Sequence, residues 1–332
     1  MRVLAVATGL PRPGAEGVGI FIQREAEALR RLGVEVETFE ARYRRGPIRT
    51  ARALSARIQE VRPELVHVYA GSIGALCAGI LSPVPLVVTY TGSDLLGAAR
   101  GDPWLDQMVC RASVVCSQLA AWRADAIIVC SAQLRAALWR PSDRARAQVI
   151  AAGVDLELFR PMDRAEARRR LGWPVDGKVV LFGASQRRAV KRFWLAEEAM
   201  KRLGAAGVQA RLETLENVLP NDVPLHLNAA DCLILTSQHE GSPNVVKEAV
   251  ACACPVVAGP VGDVAEVLDG VKPGAVVPAE PSALGGALIA VLRDGRRADG
   301  AQRIRERHAA PVVAARISEV YRRMLARRVT DR

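Results

Sequence analysis

The stretch from Ser237 to Leu268, SQHEGSPNVVKEAVACACPVVAGPVGDVAEVL, sets two carboxylates, Glu240 and Glu248, on either side of a Gly241-Ser242-Pro243-Asn244 turn. Just upstream, DCLILTS reads as a buried strand, and ligands of an open parallel sheet bind outside the carboxyl ends of its strands. Glu240 therefore falls where ligands go. Ser242 is expected to cap a helix whose first residue is Pro243, a position where the missing N–H costs nothing. Free N–H groups around Asn244, Val245 and Val246, with the positive end of the helix dipole, would favour a phosphate. Val245, Ala249 and Cys252 share one helix face, expected to be buried, while Asn244 and Glu248 share another. Carboxylates repel phosphate but offer acceptor oxygens to hydroxyl groups. A phosphate in the middle with hydroxyls at both ends describes a nucleotide sugar. Read alone, two glutamates at this spacing are more simply solvated surface acids, and it is their surroundings that give them weight.

Those surroundings are an alternation of strands and helices. RVLAVAT is a strand candidate, followed by the glycine-rich loop GLPRPGAEGVG and a helix, IFIQREAEALRRLG, whose apolar residues follow a helical period. VEVETFEA, ELVHVYAG, VPLVVTYTGSD and ADAIIVCS continue the strands, and IRTARALSARIQEVRP is an amphipathic helix that stops at Pro63. The alternation restarts after VIAAGVDLELFRPMD with KVVLFGAS, VQARLETL, DCLILTS, CPVVAGP and GAVVP. Such a pattern implies parallel sheets wound with helices, hence an α/β fold in two halves. The expected division is residues 1–155, 156–310 and a C-terminal helix over 311–332.

With 332 residues and 50% hydrophobic content, the chain can bury two cores. Its apolar runs are far shorter than the roughly 20 residues of a membrane span, and MRVLAVATGLP lacks the apolar core of a signal peptide. A cytoplasmic protein is expected. Seven cysteines show no CxxC pair and no partnering histidines, so neither a zinc site nor a disulfide framework is suggested. The 46 basic against 35 acidic residues give a net charge of +11, suited to phosphate-rich or anionic partners, although a bias toward arginine explains it equally well. Nucleic acid is not expected, because aromatics make up 4% and no basic run is interleaved with them.

With its flanks, EGSPNVVKEAVACACPVVAGPVGDVAEVL resembles the E-x7-E signature of the retaining glycosyltransferases of family 4, which have the GT-B fold of two Rossmann-like domains facing a central cleft. PRPGAEGVGIFIQREAEALRRLGVEV is similar to the family's N-terminal glycine loop and first helix, and ADAIIVCSAQLRAAL and VIAAGVDLELFRP to its middle. KVVLFGASQRRAVKRFWLAEEAMKRL resembles the segment that carries its phosphate-binding arginine and lysine. The resemblance runs from residue 1 to about 320. It implies an N-terminal acceptor domain, a C-terminal donor domain and a last helix that crosses back to the first.

By that resemblance Glu248 would bind the ribose hydroxyls, Glu240 the hydroxyls of the transferred sugar, and residues 241–245 the sugar and β-phosphate. Lys191 matches the family lysine. Ala184 stands at the usual arginine position, which leaves Arg187 or Arg188 as its substitute. Gly17 matches the loop glycine that lets backbone approach the ligand. Thr91 stands where many members have histidine, shifting hydrogen bonding toward Thr91, Ser93 or Asp94, with capping of the next helix as the other reading of Asp94. His67 and His239 read as packed or solvated rather than catalytic.

The implied reaction retains anomeric configuration. No Asp-x-Asp pair is present to hold a divalent cation, so neither a metal nor a cofactor is expected, and the nucleotide sugar is a substrate. The acceptor would be a glycan or a lipid-linked hydroxyl in cell-envelope synthesis. RYRRGPIRTARALSAR could meet such an acceptor at the inner face of a membrane, though a solvated charged face is the plainer reading. The rival readings are a nucleotide-sugar epimerase or phosphorylase-like enzyme of the same fold, and a non-catalytic partner subunit. A dinucleotide oxidoreductase is disfavoured because GLPRPGAEGVG is unlike GxGxxG.

Overall fold

The computed structural model describes residues 1–41, 47–97 and 104–330. Residues 42–46, the RYRRG of the basic segment singled out above, lie outside them. The chain forms two units, one built from the N-terminal part through Gly153 together with the segment from Ala310 onward, the other from Val154–Ala309.

In the first unit the strands are β1 (Arg2–Ala7), β2 (Glu35–Glu40), β3 (Leu65–Tyr69), β4 (Leu86–Tyr90), β5 (Ala126–Val129) and β6 (Gln148–Val149), all parallel, in the order β2-β1-β3-β4-β5-β6. Its helices are α1 (Ile20–Arg31), α2 (Pro47–Val61), α3 (Ser72–Leu81), α4 (Ser93–Leu96), α5 (Trp104–Arg123), α6 (Ala132–Ala136) and α7 (Pro141–Arg146). The central strands are apolar almost throughout because both faces are covered. Leu4, Val6, Val66, Val68, Val88 and Tyr90 meet α2, α3 and α5 on one side. Val3, Ala5, Leu65, Tyr69 and Val87 meet α1 on the other, where the C-terminal helix also packs through Val313, Ile317, Val320 and Tyr321.

The second unit holds α8 (Arg164–Arg170), β7 (Lys178–Phe182), α9 (Phe193–Ala205), β8 (Ala210–Thr214), α10 (Val223–Ala229), β9 (Cys232–Leu235), α11 (Asn244–Ala251), β10 (Val256–Ala258), α12 (Val264–Leu268), β11 (Ala275–Val276), α13 (Pro281–Asp294) and α14 (Ala301–His308), while α15 (Ala310–Thr330) is the C-terminal helix of the first. Its parallel strands run β11-β10-β9-β7-β8. Alternate residues again sort to two faces: Leu181, Leu233 and Leu235 against α10, α11 and α12, and Val180, Phe182 and Ile234 against α9 and α13.

A buried polar group joins α1, β3, β4 and α15. His67 lies in mid-strand with Nδ1 2.5 Å from the Tyr321 hydroxyl and Nε2 2.6 Å from Thr89 Oγ1, and burial drives its pKa down to about 3. It is a packed histidine. Next to it the Tyr69 hydroxyl donates to Glu25 at 2.5 Å. Loss of solvation pushes the Glu25 carboxyl from 4.5 up to about 7, against the pull of that hydrogen bond. Between these two values the folded chain keeps a proton that the unfolded chain has released. Glu25 therefore contributes a loss of stability as pH rises from about 4.5 to about 7, whereas His67, neutral in the folded chain while the unfolded imidazole still holds a proton below about 6.5, contributes a gain over most of the same window. Urea denaturation across this window should show stability rising more steeply with pH in Glu25→Gln than in the native chain, because the His67 contribution is then unopposed; an unchanged slope in the variant would refute the assignment.

Candidate functional site

Strand order in the second sheet reverses at β7, whose successor β8 lies on one side while β9 lies on the other. A crevice opens at such a switch point beyond the carboxyl ends of the two strands. The loop after β7 carries Lys191 and the loop after β9 carries Glu240. Lys191 Nζ donates to Glu240 Oε1 at 2.5 Å, and both side chains are 15% exposed.

The two loops are tied together by more than this pair. The Thr236 hydroxyl donates to the carbonyls of Lys191 and Arg192 at 2.7 and 3.0 Å. Arg192 returns the contact, with Nε on Thr236 O at 2.7 Å and Nη2 on Ser237 O at 2.9 Å, and Gln238 N–H reaches Val190 O at 2.8 Å. Arg192 accepts a left-handed backbone, φ 49°, to end the short 3-10 turn Ala189–Lys191 and begin α9. Neither Thr236 nor Arg192 stood out in the sequence, because their work is done by contacts between loops.

The helix after Glu240 starts one residue later than expected. Pro243, with extended backbone, precedes Asn244, and no side chain caps the helix. Ser242 is not the cap, since its hydroxyl donates to Asp263 Oδ2 at 2.6 Å and accepts from Lys247 Nζ at 2.9 Å. Val246 N–H is taken by Pro243 O at 3.1 Å, which removes it from the expected set of open donors. The buried face is Val246, Lys247, Ala249, Val250 and Cys252, with Val245 only partly covered. Val245 instead faces the loop after β7, where a Cβ on Gly183 would lie 3.1 Å from it.

Lys247 did not stand out in the sequence: it is a lysine with 0% exposure in the second turn of α11. Asp263, itself 8% exposed, faces it through Ser242. Burial raises the Asp263 carboxyl, while the Lys247 charge and the Ser242 hydroxyl pull it back down. Gly262, at φ 58°, has room only for hydrogen, because a Cβ would lie 2.7 Å from Gly241 O. The turn at 262–263 thus braces the loop that carries Glu240. Asn244 Oδ1 and Ser237 Oγ are buried acceptors with no partner.

Glu248 is half-buried on α11, two turns on from Glu240. Arg187 is turned to Glu216 in the loop after β8, 2.6 Å away, with 82% of its side chain exposed. Lys191, by contrast, meets Glu240. Arg188 is exposed in the same loop.

The remaining candidates belong to the first unit. Gly17 is exposed, and a Cβ there would meet nothing, so the fold itself does not require glycine at this position. The glycine that it does require is Gly19, with φ 66° and a Cβ position 2.2 Å from Gly9 O. Thr91 N–H donates to Asp94, whose buried carboxylate also takes Gly71 N–H at 2.9 Å and Gly92 N–H at 2.7 Å. Asp94 therefore knots the loops after β3 and β4, which accounts for its burial without a ligand. Burial raises its pKa and the three backbone donors oppose that shift.

Residues 38–158 match the model of Glycosyltransferase Family 4, and residues 165–294 match that of Glycosyl transferases group 1. The chain therefore carries one domain of each of these two glycosyltransferase families. Sucrose-phosphate synthase of Thermosynechococcus elongatus superposes with a TM-score of 0.80 at 20% identity, over 98% of this chain and 100% of that one. Anabaena HepE in complex with UDP and glucose gives 0.69 at 17% identity, over 97% and 99%. At these identities the likeness is one of fold, the two-sheet α/β architecture of GT-B glycosyltransferases. In sequence, D-inositol 3-phosphate glycosyltransferase of Mycobacterium tuberculosis is 36% identical over 36% of this chain, a match that takes in 30% of that relative's length. Within the glycosyltransferase chain, both members of the Lys191–Glu240 pair fall inside the group 1 match.

Proposed function

We propose that this glycosyltransferase moves a sugar from a nucleoside-diphosphate sugar to an acceptor hydroxyl, with retention of anomeric configuration and without a metal ion. The observation that supports it most is the Lys191–Glu240 pair at the β7/β9 switch point, beside the start of α11. A diphosphate laid there would draw Lys191 from the carboxylate and meet the Asn244 and Val245 end of the helix dipole. Glu240, released from the lysine, would accept hydrogen bonds from the sugar, and Glu248 from the ribose. Asn244 Oδ1, a buried acceptor lacking a donor, suits a substrate hydroxyl.

Breaking the bond from the anomeric carbon to the diphosphate oxygen leaves negative charge on that oxygen and positive charge on the ring. Lys191 stabilises the first and Glu240 the second. The acceptor oxygen enters on the face the diphosphate leaves, and its proton departs with the nucleoside diphosphate. Arg187 would take part only by leaving Glu216, and the exposed Arg188 is the freer of the two to reach a phosphate. The first unit is proposed as the acceptor side, with a glycan or lipid-linked hydroxyl as acceptor.

UDP and GDP, screened at one and the same concentration, should separate the two bases, since a nucleotide present at about 100 times its dissociation constant adds about 2.7 kcal/mol to stability and raises the melting temperature, while a weaker binder adds less. Lack of a shift with either would count against the donor site. NMR of the product anomer, with EDTA present, then tests retention and metal independence; an inverted product or activity abolished by EDTA would overturn them.

A further inference from the structure

The outer surface of α5 carries an apolar stripe that no described part of the first unit covers. Trp104, Met108, Val115, Leu119 and Trp122 follow at helical spacings of four, seven, four and three, so they line one face over roughly 27 Å. Their exposures are 71%, 58%, 44%, 43% and 58%. The stripe continues onto α3, where a Cβ on Gly79 would lie 3.0 Å from Arg123 Cβ and the adjacent Ile80 is 66% exposed. Trp139 is tied to α5 through Gln118, which accepts its N–H at 2.9 Å, and its side chain is also exposed. Soluble surfaces seldom leave this much contiguous apolar area open without an interaction to make.

The charge around the stripe decides what covers it. Among the described side chains of α3 and α5, the charged ones are Arg111 and Arg123, both exposed, and Arg140 lies 5.4 Å over the ring of Trp122. A second copy of the chain would bring Arg111, near the middle of the stripe, against like charge. A surface that is apolar within and anionic at its rim answers both features, because tryptophan settles at the headgroup level and each arginine is drawn to anionic lipid. By contrast Arg57 of α2 is engaged by Glu37 and Glu60.

We propose that the outer face of α3 and α5 docks on an anionic lipid bilayer, with the Trp104–Trp122 stripe entering the headgroup region. The full chain should co-float at low salt with phosphatidylcholine vesicles that contain phosphatidylglycerol, and not with phosphatidylcholine alone. The Met108→Ser/Trp122→Ser variant should partition about ten-fold more weakly, and Arg111→Glu/Arg123→Glu should lose the preference for anionic lipid. Tryptophan emission should be quenched by brominated acyl chains in the native protein. Far-UV circular dichroism and the melting temperature show that each variant is folded, and the exposed arginine pair keeps the test intact should the apolar pair disturb the helix. Absence of co-flotation by the native chain, equal co-flotation by both variants, or a dimer in light scattering that the apolar variant dissolves would overturn the proposal. Flotation needs no turnover, so its failure would leave the proposed transfer reaction untouched.

Discussion

Lys191→Ala should lower kcat by about 10²–10³-fold while leaving the second unit folded, which is the usual consequence of removing one donor aimed at developing negative charge. The side chain is 15% exposed and its ammonium meets Glu240, so its loss opens no core cavity. It does leave Glu240 without its cation at the place where a diphosphate would bind. If Lys191 acts mainly on the leaving oxygen, kcat should fall much more than KM rises. Glu240→Gln is the informative companion. It frees Lys191 for phosphate, so nucleotide binding should hold or tighten while transfer drops, since the neutral amide cannot balance charge on the sugar ring. Steady-state kinetics of both variants with one donor, together with nucleotide titration by calorimetry, separate these effects. Unchanged kcat in Lys191→Ala, or equal loss of binding and transfer in Glu240→Gln, would remove the pair from the proposed chemistry.

Asp263→Ala should destabilise the second unit by about 3–5 kcal/mol, the range found when one partner of a buried charge pair is removed. Lys247 has no exposed surface, and the carboxylate that faces it is reached through the Ser242 hydroxyl. Lys247→Met alone should cost a similar amount, because Asp263 would remain buried opposite an apolar side chain. The double variant Lys247→Met/Asp263→Ala should recover much of either loss, as both charges are then gone. Urea denaturation of the four proteins closes the cycle, and additive losses would show that the two residues do not interact. The same cycle bears on function. Ser242 lies two residues from Glu240, so the double variant, although refolded, should bind nucleotide sugar less tightly as the loop loses its anchor.

The two carboxylates of the opening motif were visible because their roles rest on local chemistry: a strand end, a tight turn and a helix start. The same was true of the alternation of strands and helices, which follows from apolar runs bounded by Gly and Pro. Other features were beyond reach for a shared reason. Arg187 and Arg188 are equal candidates in a line of sequence, and only the fold turns Arg187 to Glu216 and Lys191 to Glu240. Ser242 reads as a cap when helix boundaries are judged alone, yet Asp263 and Lys247 compete for its hydroxyl. Gly17 and Gly19 look alike as letters. What separates them is Gly9 O, which leaves no room for a Cβ at residue 19.

By itself, then, the order of residues determined the class of fold and its α/β alternation, and singled out the stretch proposed to hold the site, because each depends on periodicity and turn chemistry within a few neighbouring residues. Tertiary structure alone decided which charges meet. Lys191 with Glu240, Lys247 with Asp263 through Ser242, and Asp94 with the backbone of Gly71 join residues from different loops. It also decided that the α5 stripe faces outward. A charge is stabilised or stranded by whatever the fold brings to within a few ångströms of it, and that distance is not written in the spacing of residues along a chain.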